Sequence, residues 1–222
     1  MFKHYMEYEE IKPLYLEMVE SVAKKYAHDK RILCWNIANE PGILIGERSI
    51  PMLKVLFSLV RSCEVSQPLC SDVWRGINKD GTFKSLEETI GFELSDCISF
   101  HSYSKYDKFT NNIRVLKEQY NRPIFMTEWL NRCNNNNVHD LYPFMQEQNI
   151  ACYCWGLVAG KTMTTEPWDD MWTQYYSKPE IDFDFTKWQH DLFRLNGRPY
   201  DPKEIEIIKS INKLADKKYE KI

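Results

Sequence analysis

Residues 31–42 read RILCWNIANEPG, and this stretch decides the predicted fold. Its first half is a nearly unbroken apolar run, which is typical of a buried strand. The run ends abruptly in Asn39, Glu40 and a Pro-Gly pair. An ionised Glu is almost never placed in an apolar setting unless it is paired with another group or has a function there. We therefore predict a strand over about 31–38 that delivers Glu40 to its own C-terminal end.

The composition is that of an ordinary globular chain, long enough for one sizeable core or at most two small ones. Hydrophobic residues make up 43% and charged residues 27% of the 222 residues, a balance typical of a folded domain. The net charge of -3 gives no reason to expect a nucleic-acid partner or an anionic membrane surface. The sequence also holds no apolar run of about 18 residues, so we expect no membrane span.

Cysteine and histidine form no metal-binding pattern along the sequence. The seven Cys residues include no C-x-x-C motif, and the five His residues are scattered singly. We therefore expect no structural metal and no cofactor. Four of the Cys residues lie in apolar runs and are interpreted as small core side chains, namely Cys34, Cys97, Cys152 and Cys154. The sequence leaves the cellular compartment open.

Helical and strand-like patterns alternate along the chain. Apolar residues spaced at i, i+3, i+4 and i+7 predict a first amphipathic helix over 7–28 and a last one over 203–219. Other helices are predicted to begin at Ser49, as an N-cap, and to lie at 86–92, 109–120 and 138–148. After the strand at 31–38, strands are predicted at 68–74, 97–103, 123–129 and 150–157, a mobile Asn-rich loop at 131–137 and an irregular loop at 158–185.

Near-continuous hydrophobic strands that alternate with helices predict a parallel sheet covered on both faces. An open doubly wound sheet and a (β/α)-barrel both satisfy this pattern. A doubly wound nucleotide binder should carry a Gly-rich turn after a strand, and this chain has only eight Gly and no such turn. Polar and aromatic residues instead gather at the C-terminal ends of the strands, where barrel enzymes build their active sites. These residues are Asn39, Glu40, Asp72, His101, Tyr103, Glu128 and Trp155.

The predicted fold class is therefore α/β, a (β/α)8 TIM barrel that is incomplete. Only five strands can be counted, whereas a whole barrel has eight strands and about 250 residues. We assign the five to strands four to eight, so that the first three β/α units are missing. Residues 1–222 are then one partial catalytic domain, and a complete barrel of this kind is expected to be a monomer.

Two acids, Glu40 and Glu128, end apolar strands that are three units apart. In a barrel such strands are expected on opposite sides of the mouth, so the two carboxyl groups can face each other across it. This pairing suits attack on a glycosidic bond, because one acid can protonate the leaving oxygen while the other attacks the anomeric carbon. Either Glu taken alone could instead cap a helix or form an ion pair.

Four motifs, in order, resemble those of clan A glycoside hydrolases, the retaining (β/α)8 enzymes that include family-5 cellulases and mannanases. WNIANEP at 35–41 resembles the strand that ends in N-E-P, and HSY at 101–103 resembles the H-x-Y of the sixth strand. TEW at 127–129 resembles the strand of the nucleophile, and Trp155 falls where the eighth strand supplies a stacking Trp. The tail from Trp155 onward is similar to a cellulase-like branch that is also described as xylanase-like.

The resemblance implies a role for each matching polar residue. Glu40 would be the acid/base and Glu128 the nucleophile, while Asn39 would hydrogen-bond the sugar 2-hydroxyl. Tyr103 would hold and polarise Glu128, and His101 would sit beside the acid/base. Taken alone, His101 could equally be a strand-end residue whose hydrogen bonds are all made within the fold. Tyr103 could equally be a ring packed in the core.

Tryptophans are expected to contact the sugar. The resemblance implies that Trp155 forms the floor of the −1 sugar site. Trp168 is a candidate platform on the leaving-group side, and Trp172 is another. Each of these rings could instead be core packing or an anchor of its loop. Asp72 ends a strand without a family role, and we interpret it as structural.

The sequence therefore predicts a retaining glycoside hydrolase acting on β-linked glycans or oligosaccharides, with a carbohydrate as its partner. Family-5 enzymes also carry an Arg on the second strand and a His on the third, and no predicted strand precedes residue 31 to supply them. An inactive carbohydrate-binding remnant of such an enzyme is therefore the first alternative. A metal-assisted lyase or isomerase is the second, although the sequence shows no cluster of His, Asp and Glu ligands. Sugar identity, linkage and endo or exo action stay open.

Overall fold

The computed structural model of the protein describes residues 9–160, 164–178 and 180–220. The chain divides into two compact units. The first unit is Met1–Phe100 with Val115–Phe125, and the second is His101–Arg114 with Met126–Ile222. The single catalytic domain stays a prediction.

Helices and short strands alternate along the described residues, which confirms the predicted α/β class. The helices are α1 Lys12–Tyr26, α2 Ile50–Ser62, α3 Leu86–Leu94, α4 Tyr106–Gln119, α5 Val138–Glu147, α6 Asp169–Ser177 and α7 Pro202–Tyr219. The strands are β1 Trp35–Asn36, β2 Leu69–Cys70, β3 Asp72–Val73, β4 Ile98–His101, β5 Ile124–Glu128 and β6 Ala151–Cys152. Within the part of the chain that is described, no helix is both long and apolar enough to span a membrane.

The strands of the first unit pair in parallel. β1 pairs with β2, with Trp35 opposite Leu69, and β3 pairs with β4, with Asp72 opposite Ser99. A second sheet has the strand order β3-β4-β5-β6. Parallel neighbours joined through helices are the arrangement of a β/α barrel.

Helix α2 supplies much of the core of the first unit. Leu53, Phe57 and Val60 form its buried face, each at most 3% exposed. They pack in one cluster with Ala23 of α1 and Leu69 of β2. Burying a side chain of this size stabilises the fold by about 1.5–3 kcal/mol, so this face holds α2 against its neighbours.

The start of α2 differs from the predicted cap in its chemistry. Ser49 precedes the helix, as predicted, but its side chain caps no helical N–H. Its hydroxyl instead donates to the Gly46 carbonyl at 2.8 Å, because a 3-10 turn, Gly46–Ser49, leads into the helix. A proline in the first turn of α2 fits there, since that position needs no backbone N–H.

The first helix is shorter than predicted, and its apolar stripe is exposed. It spans Lys12–Tyr26 rather than 7–28, and positions 7 and 8 lie outside the described residues. Ala23 is buried, but Leu14 is 67% and Met18 is 53% exposed. The periodicity therefore predicted the helix correctly and its packing only in part.

The strands predicted at 31–38 and 150–157 are much shorter in the structure. β1 keeps only Trp35–Asn36, and β6 keeps only Ala151–Cys152. Leu33 is 62% and Tyr153 is 55% exposed, so these apolar runs are not buried along their length. An apolar run shows where a strand can form, whereas the length of a ladder depends on the partner strand.

A helix, α6, lies within the stretch 158–185 that was predicted to be irregular. Asp169 and Asp170 stand in its first turn, where acids stabilise the N-terminus of a helix. Met171 is its buried residue, and one buried position gives no periodic signal in the sequence. Positions 161–163 and 179 of this stretch lie outside the described residues.

Candidate active site

Glu128 is the last residue of β5 and belongs to the second unit. The strand buries Ile124 and Met126 and leaves the intervening residue partly exposed, as expected when side chains alternate between two faces. The Glu128 side chain is 13% exposed, and its backbone carbonyl accepts from the Ser102 N–H at 3.0 Å. β5 therefore delivers a mostly buried acid to its C-terminal end, as the apolar run predicted.

Two residues at the end of β4 contact this carboxylate. Tyr103 OH donates to Glu128 Oε2 at 2.7 Å, and His101 Nδ1 lies 3.4 Å from the same oxygen. The His101 side chain is only 2% exposed. The motifs at 101–103 and 127–129 thus meet in one group, with His101 against the predicted nucleophile; its place beside the acid/base stays a prediction.

The Asn-rich loop after β5 fixes the backbone that carries Tyr103. Asn134 Nδ2 donates to the Tyr103 carbonyl at 2.9 Å, and Asn136 Nδ2 donates to the Ser104 carbonyl at 2.7 Å. Asn136 is fully buried. We predicted mobility for 131–137, but these hydrogen bonds tie the loop to the segment after β4.

Trp168 joins the Glu128 group, whereas Trp172 packs within its own loop. The Trp168 ring meets the Tyr103 ring edge-on, with centroids 4.9 Å apart, and the backbone N–H of Trp168 donates to Gln189 Oε1 at 2.9 Å. Trp168 is 38% exposed, so part of the indole can contact a ligand. Trp172 lies against Phe185 with ring centroids 3.9 Å apart, which matches the alternative interpretation as a loop anchor.

His190 belongs to the same group and was missed by the sequence analysis. Its ring centroid lies 5.5 Å from that of Tyr103 and 5.2 Å from that of Trp168, and its side chain is fully buried. Nδ1 donates to the carbonyl of Leu130, and Nε2 has no hydrogen-bond partner among the described residues. Burial lowers the pKa of His190 to about 4, so the ring is neutral at pH 7.

No local pattern could have indicated His190. Leu130, which accepts its hydrogen bond, is 60 positions away in the chain. Sequence patterns report neighbours along one element, whereas this contact exists only after the chain returns to the end of β5.

Trp155 follows β6 and is held beside the end of β5. Its backbone N–H donates to the Trp129 carbonyl at 3.1 Å, one residue beyond Glu128. The indole of Trp155 is 42% exposed, whereas Trp129 is 1% exposed and packs in the core. The structure thus places Trp155 beside the end of the strand that carries Glu128, with surface available for contact with a ring.

Glu40 and Asn39 follow β1 in the first unit. Glu40 has a left-handed backbone with φ of 44°, a conformation that costs a non-glycine residue about 1–2 kcal/mol. Strain of this kind persists only where the surrounding contacts hold the backbone in place. The Asn39 side chain is exposed and Glu40 is half-buried, so the strand end presents both residues at the surface of this unit.

The turn after Glu40 is held by the segment that follows β3. Trp74 Nε1 donates to the Pro41 carbonyl at 3.4 Å, and Arg75 Nη2 donates to the Gly42 carbonyl at 3.3 Å. Arg75 Nε also lies 3.3 Å from Glu87 Oε1. A Cβ on Gly42 would stand 2.5 Å from Glu87 Cγ, and φ at this glycine is +83°. Only glycine therefore fits the turn that positions Glu40.

Buried carboxylates brace the strands beneath this turn. Asp72 is fully buried and accepts from Asn36 Nδ2 at 2.6 Å and from Ser99 Oγ, which joins β1, β3 and β4. Glu88 accepts from the Arg75 N–H at 2.7 Å, and burial raises the pKa of Glu88. The contacts of Asp72 match the structural role that we expected for it.

The second unit also contains a group of possible metal ligands at some distance along the chain from the motifs. Ligand atoms of His139, Asp201 and Glu204 lie within 4.8 Å of one another, beside a cavity of about 330 Å³. However, both oxygens of Glu204 accept from Arg132, at 2.7 and 2.6 Å. The guanidinium already neutralises this carboxylate, so the group is best described as a buried ion pair with two flanking residues.

The segment that carries Glu128 matches a known family model. The family model described as the glycosyl hydrolase catalytic core matches residues 93–172, a segment that includes His101, Tyr103 and Glu128. The chain is similar to glycosyl hydrolases. The predicted resemblance to clan A-type glycoside hydrolases is thereby confirmed, while the family-5 branch stays a prediction. No curated protein sequence matches the chain significantly.

Solved structures of glycoside hydrolases share the fold at low identity. The GH2 beta-galacturonidase from Eisenbergiella tayi aligns with a TM-score of 0.59 and 14% identity, over 94% of this chain and 38% of its own length. The Ignisphaera aggregans GH53 catalytic domain aligns with a TM-score of 0.53 and 14% identity, over 91% and 68%. Endo-glycoceramidase II from Rhodococcus sp., in its lactosyl-enzyme intermediate, aligns with a TM-score of 0.51 and 12% identity, over 90% and 45%.

These likenesses concern the fold. The chain spans 38% of the length of the galacturonidase and 68% of the GH53 domain. Together with the parallel strands, they confirm the predicted TIM-barrel class. Glu40 lies in one unit and Glu128 in the other, and their pairing in one site stays a prediction.

Proposed function

We propose that the protein is a retaining glycoside hydrolase that cleaves O-glycosidic bonds of β-linked glycans or oligosaccharides. The observation that carries the proposal is Glu128, which ends β5 and accepts from Tyr103 at 2.7 Å within the segment similar to the glycosyl hydrolase catalytic core. A donor to a carboxylate orients it and stabilises its charge. A nucleophile that must attack and later leave needs both effects.

The proposed reaction has two displacements at the anomeric carbon. In the first, a Glu128 oxygen bonds to that carbon as its bond to the leaving oxygen breaks, and Glu40 gives a proton to the leaving oxygen. In the second, Glu40 takes a proton from water, whose oxygen displaces Glu128 and completes the hydrolysis. Two inversions retain the configuration. Asn39 and the partly exposed indoles of Trp155 and Trp168 would bind the sugar.

Removal of Glu128 tests the nucleophile. We expect Glu128→Ala to abolish hydrolysis of aryl β-glycosides, and azide to restore turnover, because the small anion can enter the space that the carboxylate leaves. The product should be a glycosyl azide of inverted configuration, identified by NMR. Glu147→Ala, which removes an exposed acid of α5 in the same unit, should keep the wild-type rate. A folded, inactive Glu128→Ala variant that azide does not rescue would contradict the assignment.

Removal of Glu40 tests the acid/base. We expect Glu40→Ala to slow hydrolysis by about 10²–10⁴-fold for glycosides whose leaving group needs a proton. The loss should be much smaller for dinitrophenyl glycosides, since their leaving group departs unprotonated. Glu47→Ala, at an exposed position in the same unit, is the matched control. Equal losses on both kinds of substrate would exclude Glu40 as the proton donor.

Sugar binding without turnover is the alternative function. Titration calorimetry of the wild-type chain with β-linked oligosaccharides, followed by product analysis of the same samples, distinguishes a binding protein from a hydrolase. Binding heat with intact oligosaccharide after prolonged incubation would select the binding protein over the hydrolase.

A further inference from the structure

Three cysteine sulfurs meet in the first unit. Cys34 Sγ lies 3.4 Å from Cys70 Sγ and 3.5 Å from Cys97 Sγ, and the three sulfurs all lie within 4.8 Å of one another. All three residues are free thiols. Cys70 and Cys97 are 4% and 1% exposed, whereas Cys34 is half-buried. The cluster is therefore mostly enclosed, with one member that solvent can reach.

Main-chain hydrogen bonds hold the three cysteines in place. Cys34 immediately precedes β1, Cys70 ends β2 and Cys97 immediately precedes β4. β1 and β2 form one parallel ladder. The Asp96 N–H donates to the Leu69 carbonyl at 2.7 Å, which fixes the start of β4 beside the end of β2. These main-chain hydrogen bonds thus bring the sulfurs together, across separations of 36 and 63 positions that no sequence motif would reveal.

The separations fit three thiolates around one metal ion. At a metal–sulfur distance of about 2.3 Å, three sulfurs in a plane around an ion stand about 4.0 Å apart. The two measured contacts would have to open by only about half an ångström to reach that geometry. Rotation about the Cα–Cβ bonds can provide a movement of this size without moving the strands.

We propose that Cys34, Cys70 and Cys97 form a three-thiolate site for Cu(I). Soft thiolates select Cu(I) and Zn(II) over harder cations, and structural Zn(II) sites are almost always four-coordinate. The described residues supply three ligand atoms to this group, which matches an ion that accepts three sulfurs. Each thiol would release its proton to the buffer as its S–Cu bond forms, and no oxidation state would change.

Two arginines contact the segment that leads into Cys97. Arg122 Nη1 donates to the Ser95 carbonyl at 3.2 Å, two residues before Cys97. Arg61 Nη2 lies 3.0 Å from Asp96 Oδ1, so the charge of that neighbouring carboxylate is already offset. The site goes beyond the proposed hydrolase and runs against the sequence-based expectation of no metal.

Competition with a chromophoric Cu(I) chelator tests the proposal on the full chain, reduced and kept free of oxygen. We expect wild type to withdraw one equivalent of Cu(I) per chain. Cys34→Ser and Cys97→Ser should each weaken the affinity for Cu(I) by at least about 100-fold. This loss exceeds the one typical of a residue that only contacts a metal ligand. Cys63→Ser, a buried cysteine outside the cluster, and Cys152→Ser, a half-buried one, should bind as wild type does.

A second measurement keeps the test independent of variant folding. X-ray absorption of the copper-loaded wild type should show a shell of three sulfurs. Three outcomes would overturn the site: no retained copper, equal retention in Cys34→Ser, or a loss confined to Cys152→Ser. Retention of Zn(II) without Cu(I) would overturn the assignment to Cu(I).

Discussion

Tyr103 contacts Glu128 through a single hydroxyl proton, so this contact can be removed while the ring is kept. The O–H donates to Oε2 at 2.7 Å, and the ring packs edge-on against Trp168. Phenylalanine at this position would preserve the ring packing and lose the donor. A hydrogen bond to a charged group contributes about 1.5–3 kcal/mol.

We therefore expect Tyr103→Phe to lower kcat/KM for aryl β-glycosides by about 10–150-fold, with most of the loss in kcat. Tyr106→Phe is the matched control, because Tyr106 is 41% exposed and its ring lies against Phe144. Thermal melts should show that both variants fold. An unchanged kcat in Tyr103→Phe would mean that the hydroxyl does not assist Glu128.

The positions of single residues at strand ends could be predicted where the signal is local, while their roles stay predictions. Glu128, Tyr103 and Trp155 each stand at the end of an apolar run, and strand ends in a barrel converge by geometry. The support for Tyr103 was not predictable, because Asn134 contacts it from 31 positions away. His190 contacts Leu130 from 60 positions away, so its place was equally hidden.

At the scale of elements, a buried ion pair ties α7 to the turn after β5. Arg132 lies in that turn and Glu204 in the first turn of α7, and both side chains are 3% exposed. Arg132 also donates to the carbonyls of His190 and Asp191, at 2.5 and 3.1 Å. One guanidinium therefore connects three segments that surround the Glu128 group.

We expect Arg132→Met to lower the free energy of unfolding by about 3–5 kcal/mol, because it leaves Glu204 buried without its partner. The double variant Arg132→Met/Glu204→Met should recover much of this loss, since no buried charge remains. Lys24→Met breaks an exposed pair with Glu20. The Lys24 and Glu20 side chains are 61% and 41% exposed, so this variant should leave the free energy of unfolding nearly unchanged. Urea titrations measure all three.

The double-mutant cycle decides between charge and packing. If the double variant were as unstable as Arg132→Met alone, the loss would come from packing of the guanidinium against its neighbours, including the Tyr200 ring 4.6 Å away.

Helices were easier to predict than strands. α4 is Tyr106–Gln119 against a predicted 109–120, and α5 is Val138–Glu147 against 138–148. A helix satisfies its hydrogen bonds within its own segment, so local periodicity is sufficient. A strand requires a partner, and β6 keeps only two residues of a predicted run of eight. The strand positions were therefore predictable while their lengths were not.

At the scale of the whole molecule, the order of elements carried the fold class. Alternation of strands and helices restricts the chain to parallel sheets, whatever the length of each strand. The division into two units had no such signal. Its boundaries fall after Phe100, Arg114 and Phe125, inside β4, α4 and β5, where composition does not change.

His190 should make the stability of the whole molecule sensitive to acid. Burial lowers the pKa of His190 from 6.5 to about 4. As the pH falls from 6.5 towards 4, the unfolded chain takes up a proton that the folded chain excludes. This contribution is fully present above pH 6.5 and is lost as the pH falls through that window. The full shift corresponds to about 3 kcal/mol of unfolding free energy.

His190→Asn isolates this contribution. The Asn amide can keep the donor to the Leu130 carbonyl but takes up no proton, so the variant should lose less stability than wild type between about pH 7 and about pH 4.5. Its stability at pH 7 is expected to be lower, because the ring is missing, so the pH dependence decides the test. Urea titrations at several pH values measure it. His28→Gln, at an exposed position, should follow wild type. A His190→Asn chain that loses stability as steeply as wild type would show that another group excludes the proton.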